Sequence, residues 1–198
     1  MKSACAILFA ALAAAVPAPA PQSGDTSGSA IRILRFEGRL DVPGGFLRNS
    51  TGTHVDANDL SFWFGKYTRT YSEEPVKQAN TNTTIFRMIP GDDQLFLDTQ
   101  ADYGQAVYIL PSGELKFRLF HPVMWEANYA IYKGFEFSDG YLRFENNDWS
   151  ACPQGDPELG NYSIWAASRT KLVTGYEACV DFKFEVEASA FPAAYSYY

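Results

Sequence analysis

Basic clusters, metal-ligand patterns and long apolar runs are scarce in this chain, and each scarcity removes a class of function. Lys and Arg number 16 against 23 Asp and Glu, and the net charge of −7 is not interrupted by any basic block. An acidic surface repels nucleic acid phosphates and anionic lipid headgroups, so neither is an expected partner. Histidine occurs twice, as His54 and His121, and cysteine three times, with no zinc-binding spacing among them. There is no G-x-S-x-G elbow, no H-E-x-x-H, no P-loop and no G-x-G-x-x-G. Neither histidine has a flanking catalytic motif. The expectation is therefore no catalytic residue, no metal and no cofactor.

The uncharged apolar run Cys5 to Val16 follows Lys2 and leads into small residues up to Ala20 and a polar stretch, Gln22 to Ser29. That order is a secretory signal peptide, and the run falls short of the ~20 residues that span a bilayer. Residues 1–19 are assigned to the signal peptide, 20–29 to a flexible linker, 30–190 to a single domain and 191–198 to a C-terminal tail. This tail has no hydrophobic segment of the ~10–20 residues that a glycolipid anchor signal needs, so no membrane anchor is expected. The compartment is extracellular or the cell wall. Loss of Cys5 with the leader leaves Cys152 and Cys179, an even pair in an oxidising compartment, which predicts a disulfide. Closing its loop contributes roughly 3–4 kcal/mol by chain-entropy reasoning. Three sequons, at Asn49, Asn82 and Asn161, are N-glycosylation candidates in a secreted chain.

The body of the chain alternates rather than cycling with a helical period. Val180, Phe182, Phe184 and Val186 interleave with Asp181, Lys183, Glu185 and Glu187, a strand with one apolar and one charged face. Val107 and Ile109, then Pro111-Ser112-Gly113, then Leu115 and Phe117 predict a β-hairpin whose four apolar side chains face one core, with Lys116 on the opposite face. Phe135 and Phe137 are expected to face Leu142 and Phe144 across Ser138-Asp139-Gly140, and a looser hairpin surrounds Pro90-Gly91-Asp92-Asp93. Further strands are expected in Ile31 to Phe36, Leu60 to Phe64 and Tyr162 to Ala166. The fold class is all-β, an antiparallel sandwich or barrel of many short strands. The phrase G-x-L-[K/R]-F recurs at Gly113 and Gly140; a true internal repeat there would make a β-trefoil the alternative.

Exposed aromatics on such a scaffold can stack on sugar rings, and Trp63 and Trp125 are the candidates. In Ser61-Phe62-Trp63-Phe64, alternation permits either the Phe pair or the Trp to face inward. Glycoside hydrolysis needs two carboxyls across a cleft. Glu73-Glu74 and Asp92-Asp93 are adjacent in turns and look solvated, while Glu136 and Glu145 fall on the outer face of one hairpin, where their neighbours make a charged surface the simpler reading.

Gly104-Gln105-Ala106-Val107-Tyr108-Ile109 with Gly113-Glu114-Leu115 is similar to a G-Q-x-V-Y-V…G-x-L hairpin, and Trp149-Ser150-Ala151-Cys152-Pro153 to a W-x-A-C-P element, followed by Cys179. With the leader, these features resemble the fungal secreted cell wall protein PhiA and its IgE-binding relatives. The chain departs from that pattern in its two mature cysteines and in an insert from Pro122 to Lys133. The resemblance implies a non-enzymatic cell wall or extracellular protein linked to development of spore-bearing cells, and it brings no catalytic residues. Two other classes remain beside it: a lectin-like module whose partner is wall polysaccharide, and a small secreted hydrolase.

Overall fold

The computed structural model describes residues 33–42, 53–71, 82–89, 91–100, 105–119, 129–155, 160–170 and 178–198. The segments assigned to signal peptide and linker lie outside these residues, as do Asn49, Glu73-Glu74, His121 and Trp125.

Alternation produces strands almost throughout. In chain order they are β1 (Leu34–Asp41), β2 (Asp56–Asn58), β3 (Ser61–Phe64), β4 (Thr70–Tyr71), β5 (Phe86–Met88), β6 (Leu95–Leu97), β7 (Gln105–Ile109), β8 (Leu115–Leu119), β9 (Phe135–Ser138), β10 (Tyr141–Phe144), β11 (Trp149–Pro153), β12 (Tyr162–Ala166), β13 (Val180–Ala188) and β14 (Ser196–Tyr197). A single helical turn, α1 (Ala167–Thr170), follows β12. The antiparallel order β1-β5-β6-β7-β8-β3-β12-β11-β13 returns to β1, because β13 also pairs with β1 from Phe36↔Ala188 to Asp41↔Lys183. The result is a closed nine-stranded barrel. A barrel, rather than a sandwich or a trefoil, is how this chain disposes of its sheet edges. The β9–β10 hairpin extends the wall on β13, while β2 pairs with β3.

The inward positions carry the ring-bearing residues. Phe36 stacks on Phe86 with ring centroids 5.4 Å apart, Phe86 on Phe62 at 5.2 Å, and Phe62 tilts against Phe117 at 5.1 Å. Phe184 meets Phe86 edge-on at 5.5 Å and Trp149 at 5.9 Å. Such pairs contribute about 0.5–1.5 kcal/mol each beyond the area they bury. Gly38 in β1 faces the Phe184 ring so closely that a Cβ there would lie 2.3 Å from Cε1. Gly113, at φ 105° in the β7–β8 turn, packs against Arg169 of α1, and its conformation disfavours any side chain.

Val107, Ile109, Leu115 and Phe117 are all fully buried, and Lys116 points the other way to meet Glu114 at 2.9 Å and Ser61 Oγ at 2.6 Å. In β13, Phe182 and Phe184 are buried and the four charged residues exposed, as alternation predicts. Phe62 and Phe64 take the inward positions, leaving Trp63 outside. One inward expectation fails. Phe137 pairs with Leu142 in register but is 44% exposed, because β9 lies beyond the closed ring and has only its hairpin partner over that end.

The expected tail, 191–198, is also corrected: it is built into the domain. β14 pairs with β4, and Tyr197 is buried. The buried side-chain amide of Gln105 replaces a strand partner for it, donating from Nε2 to the Tyr197 carbonyl at 2.7 Å and accepting the Tyr197 N–H at 2.6 Å. The Tyr197 hydroxyl accepts the Ile85 N–H at 3.1 Å and donates to the Thr83 carbonyl at 3.3 Å, and its burial pushes the phenol well above its ordinary pKa. Arg35 donates to the Phe191 carbonyl at 2.8 Å while paired with Asp98 at 2.7 Å.

Cys152 and Cys179 form the expected disulfide, with Cα atoms 4.1 Å apart. It ties β11 to the residue preceding β13, two strands that already pair through Trp149↔Phe182.

Two expectations follow. Phe117→Ala should cost about 3–5 kcal/mol by denaturant unfolding, whereas Phe137→Ala should cost less than ~1 kcal/mol; equal costs would refute the barrel boundary drawn here. Gln105→Leu removes both hydrogen bonds that the Gln105 amide makes to the Tyr197 backbone, so amide exchange at Tyr197 should accelerate at least tenfold while that of Val107, in the strand of Gln105, changes little.

Candidate functional site

Four stretches of the chain between Gly38 and Thr84 meet in a groove of about 500 Å³ lined by Gly38, His54, Val55, Asp56, Tyr67, Asn82, Thr83 and Thr84. Residues 53–55 lie against β1, with Val55 N–H donating to the Gly38 carbonyl at 2.9 Å and Leu40 N–H to that of Thr53 at 2.8 Å. The segment after β3 is fastened by Asn58, whose Nδ2 donates to the Tyr67 carbonyl at 2.7 Å. The lead-in to β5 is joined to it by the buried hydroxyls of Thr68 and Thr84, 2.8 Å apart, and Thr84 Oγ1 also accepts the Ala57 N–H at 2.7 Å.

Val55 and Thr84 form a buried floor and Tyr67, 79% exposed, stands at the rim. His54 Nδ1 lies 3.8 Å from Glu37 Oε2 at one side. Asp56 lies low in the wall. Burial raises its pKa from 3.8 to about 6, partly offset by the hydrogen bond that Thr68 donates to its Oδ1 at 2.7 Å. The site thus offers an exposed aromatic ring, hydroxyls, an imidazole and one half-desolvated carboxylate. Those groups suit a neutral polyhydroxylated ligand, whose ring stacks and whose hydroxyls both donate and accept. Among the described residues no three His, Cys, Asp or Glu side chains converge to hold a metal ion.

A second cavity of about 290 Å³ lies against Leu34, Met88, Phe135 and Phe137, with Asp92, Asp93 and Glu136 at its edge. Asp93 is 3.8 Å from Lys133. Glu136 stands opposite Arg143 in the β9–β10 register, and Glu145 sits in the β10–β11 turn, bound by Arg169 at 2.5 Å. Arg143 itself pairs with Asp148 at 3.6 Å.

Of the sequence candidates, Asn82 lines the groove and is exposed, while Asn161, at the start of β12, is half-buried beside Gly65. Trp63 lies on the outer face of β3, its indole N–H donating to the Asn58 carbonyl at 2.8 Å and Lys66 Nζ standing 3.2 Å over its ring. A sugar on that face would have to displace a cation–π partner. Tyr67, Asp56 and Thr68 carry no signal in the sequence; the sequon at Asn82 is the feature of the sequence that falls in this region.

The buried carboxylate has a pH signature. With a folded pKa near 6 and an unfolded value of 3.8, Asp56 binds its proton more tightly in the native state, so stability falls as pH rises between these values. Asp56→Asn retains an acceptor for Thr68 and removes the charge. It should stabilise the protein by on the order of 2 kcal/mol at pH 7.5 and by almost nothing at pH 3.5, read by thermal unfolding. The difference between the two proteins isolates Asp56. A pH-independent difference would contradict the assignment.

No curated protein and no solved structure matches the chain. A family model does: PhiA-like secreted protein, over residues 50–198, which takes in every strand from β2 to β14. The two motifs that carried the resemblance both lie inside that span, one forming the Gln105 clamp and the β7–β8 hairpin, the other the buried Trp149 strand and its disulfide. The chain belongs to the family of PhiA-like secreted proteins.

Proposed function

We propose that the protein is a non-enzymatic constituent of a fungal cell wall or extracellular surface, with a structural or developmental role. The observation that carries this reading is where the family motifs are used. Gln105, Val107, Ile109, Leu115, Trp149 and Ala151 are all fully buried, and Cys152 is in the disulfide. Trp149 donates from Nε1 to the Leu142 carbonyl at 2.7 Å. Residues characteristic of an enzyme family gather around a reacting centre; these build a wall and a core. The carboxylates weighed as a hydrolytic pair have separate surroundings, Glu145 held by Arg169 and Glu136 set opposite Arg143, which weakens the hydrolase reading. A lectin-like role draws its support from the groove at Tyr67 rather than from Trp63.

The mature protein incubated with purified wall polysaccharides should release no reducing ends above a heat-denatured control, while a fraction of it remains with the insoluble wall after washing in high salt. Release of reducing ends that vanishes on Asp56→Ala would overturn the non-enzymatic reading. Complete recovery in the wash would overturn the wall association.

A further inference from the structure

The groove at Tyr67 contains a glycan acceptor. Asn82, Thr83 and Thr84 are one of the three sequons, and all three residues line the cavity. The Thr68–Thr84 hydroxyl contact holds the two segments side by side, so Tyr67 and Asn82 border the same space. Thr84 is 2% exposed in the folded protein, which does not prevent modification, because the acceptor sequence is glycosylated as an extended chain before the domain closes.

We infer that the groove is the seat of the chain's own Asn82-linked glycan, with the first N-acetylglucosamine lying along the Tyr67 ring and its hydroxyl and acetamide groups facing His54 and Asp56. Two observations favour a tethered sugar over free wall polysaccharide. The point of attachment is in the groove wall, so the first sugar is present at an effective concentration in the millimolar range or above without any encounter step. The cavity, at about 500 Å³, accommodates one or two sugar residues and not an extended chain. A saccharide face is also the surface that the Tyr67 ring suits, left 79% exposed where nine of the twelve described phenylalanines are buried. Asp56 remains ionised at neutral pH and can accept a sugar hydroxyl; Thr68 supports it from behind.

The test uses the full chain secreted from a eukaryotic host, as wild type, Asn82→Gln, Tyr67→Ala, the double variant, and Tyr67→Phe. Thr84 is left intact because its hydroxyl also holds Ala57. Glycopeptide mass spectrometry should find Asn82 occupied. Asn82→Gln should lower the melting temperature by about 3–6 °C, a shift in the range one or two stabilising contacts produce in a domain of this size. Tyr67→Ala should lower it as much with the glycan present and by less than ~1 °C in the Asn82→Gln background, and Tyr67→Phe should retain the wild-type value. An endoglycosidase acting on folded protein should remove the Asn82 glycan at least fivefold faster from Tyr67→Ala than from wild type. An unoccupied Asn82, equal Tyr67→Ala shifts in the two backgrounds, or equal trimming rates would each overturn the inference. A free-sugar arm separates the two sources: a soluble N-acetylglucosamine oligomer should perturb the NMR signals of groove residues in Asn82→Gln and leave those of the glycosylated protein unchanged. Equal perturbation of both would assign the groove to external polysaccharide instead. Wall retention enters none of these readouts, so they stand or fall apart from the wall role.

Discussion

Everything in this molecule depends on one long strand having two partnered edges. β13 carries β11 and β10 along one side and β1 along the other, and the β1 pairing alone turns an open sheet of marginal edge strands into a ring. Most of the remaining strands are three to five residues long, too short to hold register by backbone bonds alone. Their register comes from the apolar side chains they send inward, Phe62 and Phe64 in β3 or Leu95 and Leu97 in β6, which a slip of one residue would turn out to water. The ion pair of Arg39 with Glu187 reinforces the closure on the outside, across the same register. The disulfide adds little new topology; it secures a strand pair that the sheet has already joined.

How much of this was legible before the structure depends on the distance over which each feature is decided. Alternation in β13 and in the β7–β8 hairpin is a local property, and the inward set Val107, Ile109, Leu115 and Phe117 could be named from it. Phe137 could not, because its two-residue period is identical to that of a barrel strand and what differs is the absence of a neighbour above it. The C-terminal segment was misread for a related reason. Its composition of small residues and tyrosines resembles a tail, and the group that makes Tyr197 a core residue, Gln105, lies 92 positions away. The cysteine pair was readable because compartment and number left one pairing. The groove was not: its walls come from β1, the residues flanking β2 and β3, and the entry to β5, and the sequon at Asn82 marks the last of these without showing that they meet.

The surface chemistry follows from the core. Putting most phenylalanines inside leaves charge, tyrosine and threonine to the outer face, where acidic residues meet single cations: Asp98 with Arg35, Glu114 with Lys116, Glu145 with Arg169. Distributed in this way, each of these acidic side chains is offset by a cation of its own. Asp56 is a carboxylate whose burial raises its pKa, the cost of placing a charge beside a groove instead of in open water.

The joining of β1 to β13 also sets a timetable for export. A strand near the start of the domain waits for a partner nearly 150 residues later, an interval of roughly 10–30 s at the ~5–20 residues per second of chain synthesis. Until then the nascent domain is an unsealed sheet, its rings facing the lumen and both its borders available to other chains. Each molecule thus spends its synthesis in a state that holding chaperones recognise, and completes itself only after the ribosome has nearly finished with it. For a protein of this design, secretion yield is governed by how well that waiting period is survived.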